Sequence, residues 1–300
     1  MGFLGPARGV LISDGGLATE LEVQGHDLSD PLWSARLLAD APGAIADVHR
    51  AFFAAGARIA TSASYQASFE GFGRRGLDRA AAAALLRRSV ELAREVRADL
   101  AGDGGERWVA ASVGPYGAML ADGSEYRGRY GLGVEELAAW HRPRLEILAA
   151  AGPDVLALET VPDLDEGEAL VAAIAGLGVP AWLSYSIRGD RTCAGQPLAE
   201  AFAVAAGAPD VVAVGVNCCD PPDVLGAIAI AREVTAKPIV VYPNSGEVWD
   251  ARARRWVGGA HFSARLARRW IADGARIVGG CCRVRPVDIA ALADALAVPG

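Results

Sequence analysis

The sequence contains a single lysine, Lys237, and it stands just before an apolar, β-branched run instead of at its end. Schiff-base catalysis needs a lysine amine at the reacting centre, so an aldolase-type mechanism is left with one badly placed candidate. Histidine is also scarce: only His26, His49, His141 and His261 occur, and none closes an apolar run. A histidine ligand in a metal centre is therefore not expected. No stretch reaches the ~18 consecutive apolar residues of a membrane span. The N-terminus, MGFLGPARGVLISDGG, lacks the basic start and long apolar core of an export signal. No Lys/Arg cluster is interleaved with aromatics, and the formal net charge is −7. Neither nucleic acid nor a membrane is an expected partner, and a cytoplasmic location is predicted.

What the chain does contain is an alternation of two patterns. Eight short apolar runs read as strands: VLISDG (10–15), RIATSA (58–63), WVAASVG (108–114), VLALET (155–160), AWLSYS (181–186), VVAVGVNC (211–218), PIVVYPN (238–244) and RIVGGCC (276–282). Between them lie segments of helical period, including Arg79–Leu100, Val134–Ala151, Leu198–Ala206, Pro222–Val234 and Ser263–Ala272. No Pro-, Gly- or Ser-rich linker divides the chain. Eight βα units in 300 residues predict a single (β/α)8 TIM barrel over residues 1–300.

In such barrels chemistry sits at the C-terminal ends of the strands. Here those ends are polar: Asp14, Thr61 to Ser64, Ser112, Glu159 with Thr160, Ser184 with Ser186, Asn217 with Cys218, Asn244 with Ser245, and Cys281 with Cys282. The Gly- and Tyr-rich insertion GPYGAMLADGSEYRGRYG (114–131), poor in helix signal, reads as a loop over this face.

The five cysteines are Cys193, Cys218, Cys219, Cys281 and Cys282. In a reducing compartment clustered thiols point to metal or redox work more than to a disulfide framework. Cys218 closes the sixth run and Cys281 with Cys282 the eighth, so barrel closure brings three thiols to one rim. Neighbouring residues of a strand face opposite ways; Gly279 and Gly280, which lack Cβ, are expected to let the strand end bend so that both thiols converge. Three thiolates suit Zn²⁺, with a fourth position open to water or substrate. Cys193 and Cys219 read as small buried hydrophobes. A zinc-binding or redox-sensing barrel using the same three thiols is the non-enzymatic alternative, and the polar strand ends and long loop argue against it.

Taken together, SDGGLATELE (13–22), TSASYQAS (61–68), SVGPYGAMLADGSEYRGRYG (112–131), HRPRLEIL (141–148), LALETVPDLDE (156–166), GVNCC (215–219), YPNSGEVWD (242–250) and IVGGCC (277–282) give a chain that resembles the homocysteine S-methyltransferases over nearly its whole length. GVNC and GGCC at this separation carry most of the specificity. The resemblance implies a zinc-dependent enzyme that moves a methyl group from a sulfonium donor, S-methylmethionine or S-adenosylmethionine, to the thiol of L-homocysteine, giving methionine. It implies that Cys218, Cys281 and Cys282 hold Zn²⁺, with the substrate sulfur as fourth ligand. It further implies that Asp14 and Glu159 act at the amino-acid end of the substrate, where Gly15 and Gly16 let backbone approach it. Thr61, Ser64 and Asn217 complete the expected substrate-binding set. Selenocysteine-type or other thiol acceptors and betaine-type donors are the alternatives within this chemistry. A monomer or small homo-oligomer is expected.

Overall fold

The computed structural model describes residues 3–4, 9–250 and 255–297. Eight parallel strands carry the architecture: β1 (Leu11–Ile12), β2 (Ile59–Thr61), β3 (Trp108–Val113), β4 (Val155–Val161), β5 (Ala181–Tyr185), β6 (Val211–Asn217), β7 (Ile239–Tyr242) and β8 (Ala275–Val278). Their order is β1-β8-β7-β6-β5-β4-β3-β2. A parallel bridge between Ser13 and Ile59 joins the two ends, with Arg58 N–H donating to the Ile12 carbonyl at 2.7 Å and Asp14 N–H to that of Ile59 at 3.1 Å. The ring is a (β/α)8 barrel, as the eight runs predict.

Strands buried on both faces are continuous β-branched runs, which is why every candidate run marks its strand, with β4 reaching one residue past its run to Val161 and β8 starting one residue before its run at Ala275. Helices Arg79–Asp99, Val134–Ala150, Leu198–Ala206, Val224–Val234 and Ala264–Ala272 lie where the apolar period places them. Helices Pro42–Ala54, Leu164–Ile174 and Pro286–Ala297 add to the outer layer. Side-chain caps fix several starts: Asp78 accepts from Ala81 N–H at 2.8 Å and Ser263 from Leu266 N–H at 3.4 Å, each satisfying an otherwise orphaned donor.

The period of two along a strand divides the barrel interior into two halves. Leu11, Ile59, Ala110, Val155, Ala157, Trp182, Ala213, Val240 and Ile277 fill the lower part as a cluster separate from the core beneath the helices. Trp182 is fully buried, and its Nε1–H donates to the Tyr242 hydroxyl at 2.9 Å. Phe3 packs under the barrel against Trp108, with ring centroids 5.7 Å apart. Two residues further along the same strands the inward positions become Ser13, Thr61, Ser112, Glu159 and Ser184, with Asn217 four past Ala213. The base is packed for stability and the top is left polar. Trp182→Ala should therefore cost about 3–5 kcal/mol in urea unfolding.

The 114–131 insertion does lie over the C-terminal face. It also contains structure the sequence reading did not assign, a short helix Tyr116–Leu120 and a 3₁₀ turn Ser124–Tyr126. A buried polar group anchors it. Glu166 accepts from Tyr116 N–H at 2.5 Å and from the Tyr130 hydroxyl at 3.1 Å, while Arg144 donates to the Gly114 carbonyl and to His141 Nδ1 at 2.8 Å. With Nδ1 accepting, Nε2 of His141 carries the proton and donates to Glu166 at 2.9 Å. Burial raises the Glu166 carboxyl to about 7 and holds His141 well below its usual value.

Candidate metal and substrate site

β8 ends at Val278, before the glycines, so Cys281 and Cys282 lie in a turn beyond the strand. Gly279 and Gly280 do serve this geometry, though by a different physical route from the expected bend. Neither has a positive φ; what each provides is room. A Cβ on Gly279 would sit 2.7 Å from Ser13 Cβ and 2.9 Å from the Asp14 carbonyl oxygen, and one on Gly280 would collide with Val284. Cys281 N–H donates to the Pro243 carbonyl at 2.8 Å, and Cys282 N–H to Asn244 Oδ1 at 3.1 Å. Gly279→Ala should thus displace the β8–β1 junction, costing about 1–3 kcal/mol by overpacking in denaturant unfolding and weakening metal uptake in a thiol-metal titration.

Cys218 follows β6 with φ of 50°, in the left-handed region. Its N–H donates to the Tyr242 carbonyl at 3.2 Å, and the turn carries its sulfur toward the other two. The Sγ atoms of Cys218, Cys281 and Cys282 all lie within 4.8 Å of one another, those of Cys218 and Cys282 being 3.7 Å apart. Cys219 is buried in the outer core, and Cys193 lies outside this trio on the 187–197 loop.

Hydrogen bonds from Cys218 and then Cys281 push the Cys282 thiol well below its ordinary value. Bonds to Cys218 and Cys282, followed by burial, push that of Cys281 well above. One sulfur is therefore favoured as an anion and the cluster holds further protons that a metal would release on binding. The donor set fits a thiophilic ion with one open position. The Tyr126 hydroxyl, 3.5 Å from Cys218 Sγ, covers part of the open side from the 114–131 segment.

Asp14 and Glu159 are both buried beside the sulfurs. Asp14 accepts Thr61 N–H at 2.6 Å, the Thr61 hydroxyl at 2.8 Å and the Ser13 hydroxyl at 3.2 Å. Burial outweighs these bonds and raises its carboxyl to about 6. Glu159 accepts the Ser112 hydroxyl; burial raises it to about 7, with added push from the charges of Asp14 and Cys218. Two acids and the thiols thus face one another closely enough to interact. Gly15 and Gly16 bring the β1 turn against the eighth-strand turn: a Cβ on Gly16 would be 2.7 Å from the Cys281 carbonyl oxygen and one on Gly15 2.5 Å from that of Val284.

Other expected substrate residues spend their polar atoms on the protein. Asn217 Oδ1 accepts from Thr160 N–H at 2.7 Å and from the Ser184 hydroxyl at 2.8 Å, while its Nδ2 donates to Thr160 Oγ1 at 2.7 Å. These bonds hold Thr160 at φ of 58° and so fix the irregularity near the end of β4, between Leu158 and Val161, that carries Glu159. Ser64 donates to the Ser112 carbonyl at 2.7 Å, and Thr61 serves Asp14. All three brace the acids.

The sequence reading did not single out Tyr65, Glu125 or Tyr126. Tyr65 and Glu125 hold polar atoms buried without a hydrogen-bond partner, and both feel the charge of Cys218. Their only signal in the sequence is membership of the YQAS and SEYRG stretches.

A family profile described as homocysteine S-methyltransferase matches residues 11–296. The chain is 47% identical over 291 residues to the homocysteine S-methyltransferase of Escherichia coli (strain K12), covering 94% of each. It is 45% identical over 314 residues to homocysteine S-methyltransferase 4 of Zea mays, covering 98% of this chain and 92% of that protein. Its fold matches the metallated form of the Escherichia coli homocysteine methyltransferase MmuM with a TM-score of 0.87 at 45% identity, over 96% of this chain and 97% of that one.

Proposed function

We propose, from the premise that the chain belongs to the homocysteine S-methyltransferase family, that it is a zinc enzyme transferring methyl from a sulfonium donor to L-homocysteine. The observation that carries this reading is the convergence of three sulfurs within 4.8 Å, beside two buried carboxyls, on the open rim of the barrel. Cys218, Cys281 and Cys282 would hold the ion. Zinc, when bound, would supply the positive charge that keeps a thiol ionised near neutral pH, where a free thiol is only a few per cent thiolate.

The protein's own residues do the positioning. Asp14 and Glu159 take the ammonium group of the amino-acid substrate, and their buried setting strengthens that pairing. Thr61, Ser112 and Asn217 keep the two acids in place. In the transfer, the thiolate sulfur donates an electron pair to the methyl carbon as the carbon–sulfur bond of the sulfonium breaks. That bonding pair stays on the departing sulfide, so one negative and one positive charge cancel. No proton moves in the step, and a pocket that excludes water assists it. The 114–131 segment, with Tyr126 over the thiols, provides that cover.

The test is methionine formation from homocysteine with S-methylmethionine, S-adenosylmethionine and glycine betaine in turn, with metal analysis and a chelator control. Turnover with a sulfonium donor that stops on chelation and returns with Zn²⁺ is expected. Full turnover by metal-free protein would overturn the zinc assignment.

A further inference from the structure

We propose that Glu125 is the charge-recognising residue of the methyl-donor subsite, its carboxylate taking the positive charge of the sulfonium donor. The inference rests on the sulfonium reading given above and adds to it a residue carried by the covering 114–131 segment, whereas Asp14 and Glu159 belong to the barrel strands and their ends.

Glu125 lies in the 3₁₀ turn Ser124–Tyr126, immediately before the tyrosine whose hydroxyl touches Cys218 Sγ at 3.5 Å. The turn is held down by close packing, since a Cβ on Gly117 would run into the Glu125 backbone. Oε2 of Glu125 is buried and has no hydrogen-bond partner, and no arginine or lysine forms an ion pair with the side chain among the described residues. Leaving a buried carboxylate oxygen unpaired is costly, so the position calls for a positively charged or donor-rich ligand. Burial raises the carboxyl, and the Cys218 charge raises it further, which places the carboxylate within electrostatic reach of the thiols. The Tyr65 hydroxyl, equally without a partner, is raised by burial and then by Glu125, so the two orphaned groups share one space.

Placement in the covering segment gives this carboxylate a distinct task. Asp14 and Glu159 sit on the barrel wall and act on each other, as suits one bound amino-acid head. A cationic donor arriving over the thiols meets Glu125 instead. After transfer the donor is a neutral sulfide at its former charge centre, so the attraction is lost with the methyl group and the product is released more easily. A carboxylate that pairs with charge present in the donor and fading in the transition state lowers the donor KM without raising kcat.

Glu125→Gln and Glu125→Ala, each loaded with Zn²⁺, test this against the wild type with two donors, S-methylmethionine and dimethylsulfoniopropionate, the second lacking an ammonium group. The expected result is a donor KM raised about tenfold or more, the loss of one charged pairing, with kcat at or above wild type and homocysteine KM held near wild type. Calorimetric titration with donor alone should show the same weakening. A rise with both donors assigns the sulfonium charge as the partner and supports the inference; a rise with S-methylmethionine alone assigns its ammonium group instead and overturns it. Unchanged donor constants, or a homocysteine KM that rises as much, would overturn the inference. A wild-type enzyme that uses no sulfonium donor would overturn the reading beneath it, and the inference with it.

Discussion

Cys281→Ser is expected to give a folded barrel that neither retains metal nor transfers methyl. Serine keeps the size of the side chain but replaces a polarizable thiolate with a hydroxyl that stays protonated at neutral pH. Cys281 lies in the turn after β8, half-buried against the edge of the apolar cluster around Trp182, and a serine of nearly the same size keeps most of that contact, so the barrel is expected to survive the change. Loss of a partner behind a metal ligand already costs about 10- to 100-fold in affinity or activity, and loss of a ligand from a set of three should exceed that. Bound metal after dialysis should fall from near stoichiometric to a trace, and methionine formation should fall below detection, while the urea midpoint stays close to that of chelated wild type. Metal content and turnover both surviving the substitution would sink the metal role of the thiol cluster.

Glu159→Gln should lower the affinity for the amino-acid substrate by about 10- to 100-fold, the range for losing a charged hydrogen bond, with little effect on metal content. The pH dependence sharpens the test. With burial raising Glu159 to about 7 and Asp14 to about 6, both carboxyls are ionised above those values and neutral below them. Binding of an ammonium-bearing ligand should therefore weaken as pH falls from 8 to 5.5. Methionine is the ligand to titrate, because it carries the same amino-acid head and has no thiol to confuse the profile. In Glu159→Gln the upper part of that dependence, near pH 7, should vanish and the part near pH 6 should remain. A profile identical in variant and wild type would remove Glu159 from the substrate's ammonium.

Much of the barrel was legible because parallel strands enclosed on both faces have to be continuous β-branched runs, and eight of them leave few ways to close. The convergence of Cys218 with Cys281 and Cys282 was legible for the same reason: closure decides which strand ends are neighbours whatever their distance in sequence. Side-chain partnerships made by closure were harder to read. Asn217 stands at a strand end and looks available, yet its amide is committed to Ser184 and Thr160, a pairing that depends on register between β4, β5 and β6. Gly279 and Gly280 were legible as glycines with a task near the cysteines. The task depends on Ser13, Asp14 and Val284 packing against them, contacts no local pattern encodes. The turn that brings Glu125 and Tyr126 over the thiols has no apolar period, and its position is set by Glu166 and Arg144 holding both ends of the segment. HRPRLEIL and ETVPDLDE supply these two residues, although nothing in either stretch says that they meet.

Thr160, Cys218 and Arg283 adopt φ of 58°, 50° and 68°, and each stands next to, or is itself, a residue assigned to the chemistry. A non-glycine residue in the left-handed region costs of order 1–3 kcal/mol, so this rim is the part of the barrel that folding alone would not choose. In a library sorted for heat resistance without regard to turnover, replacements by glycine or asparagine should accumulate at these three positions. The survivors would be sturdier proteins with failing catalysis. Selection for robustness and selection for methyl transfer thus pull this one edge of the barrel in opposite directions, while the packed base is free to improve under either.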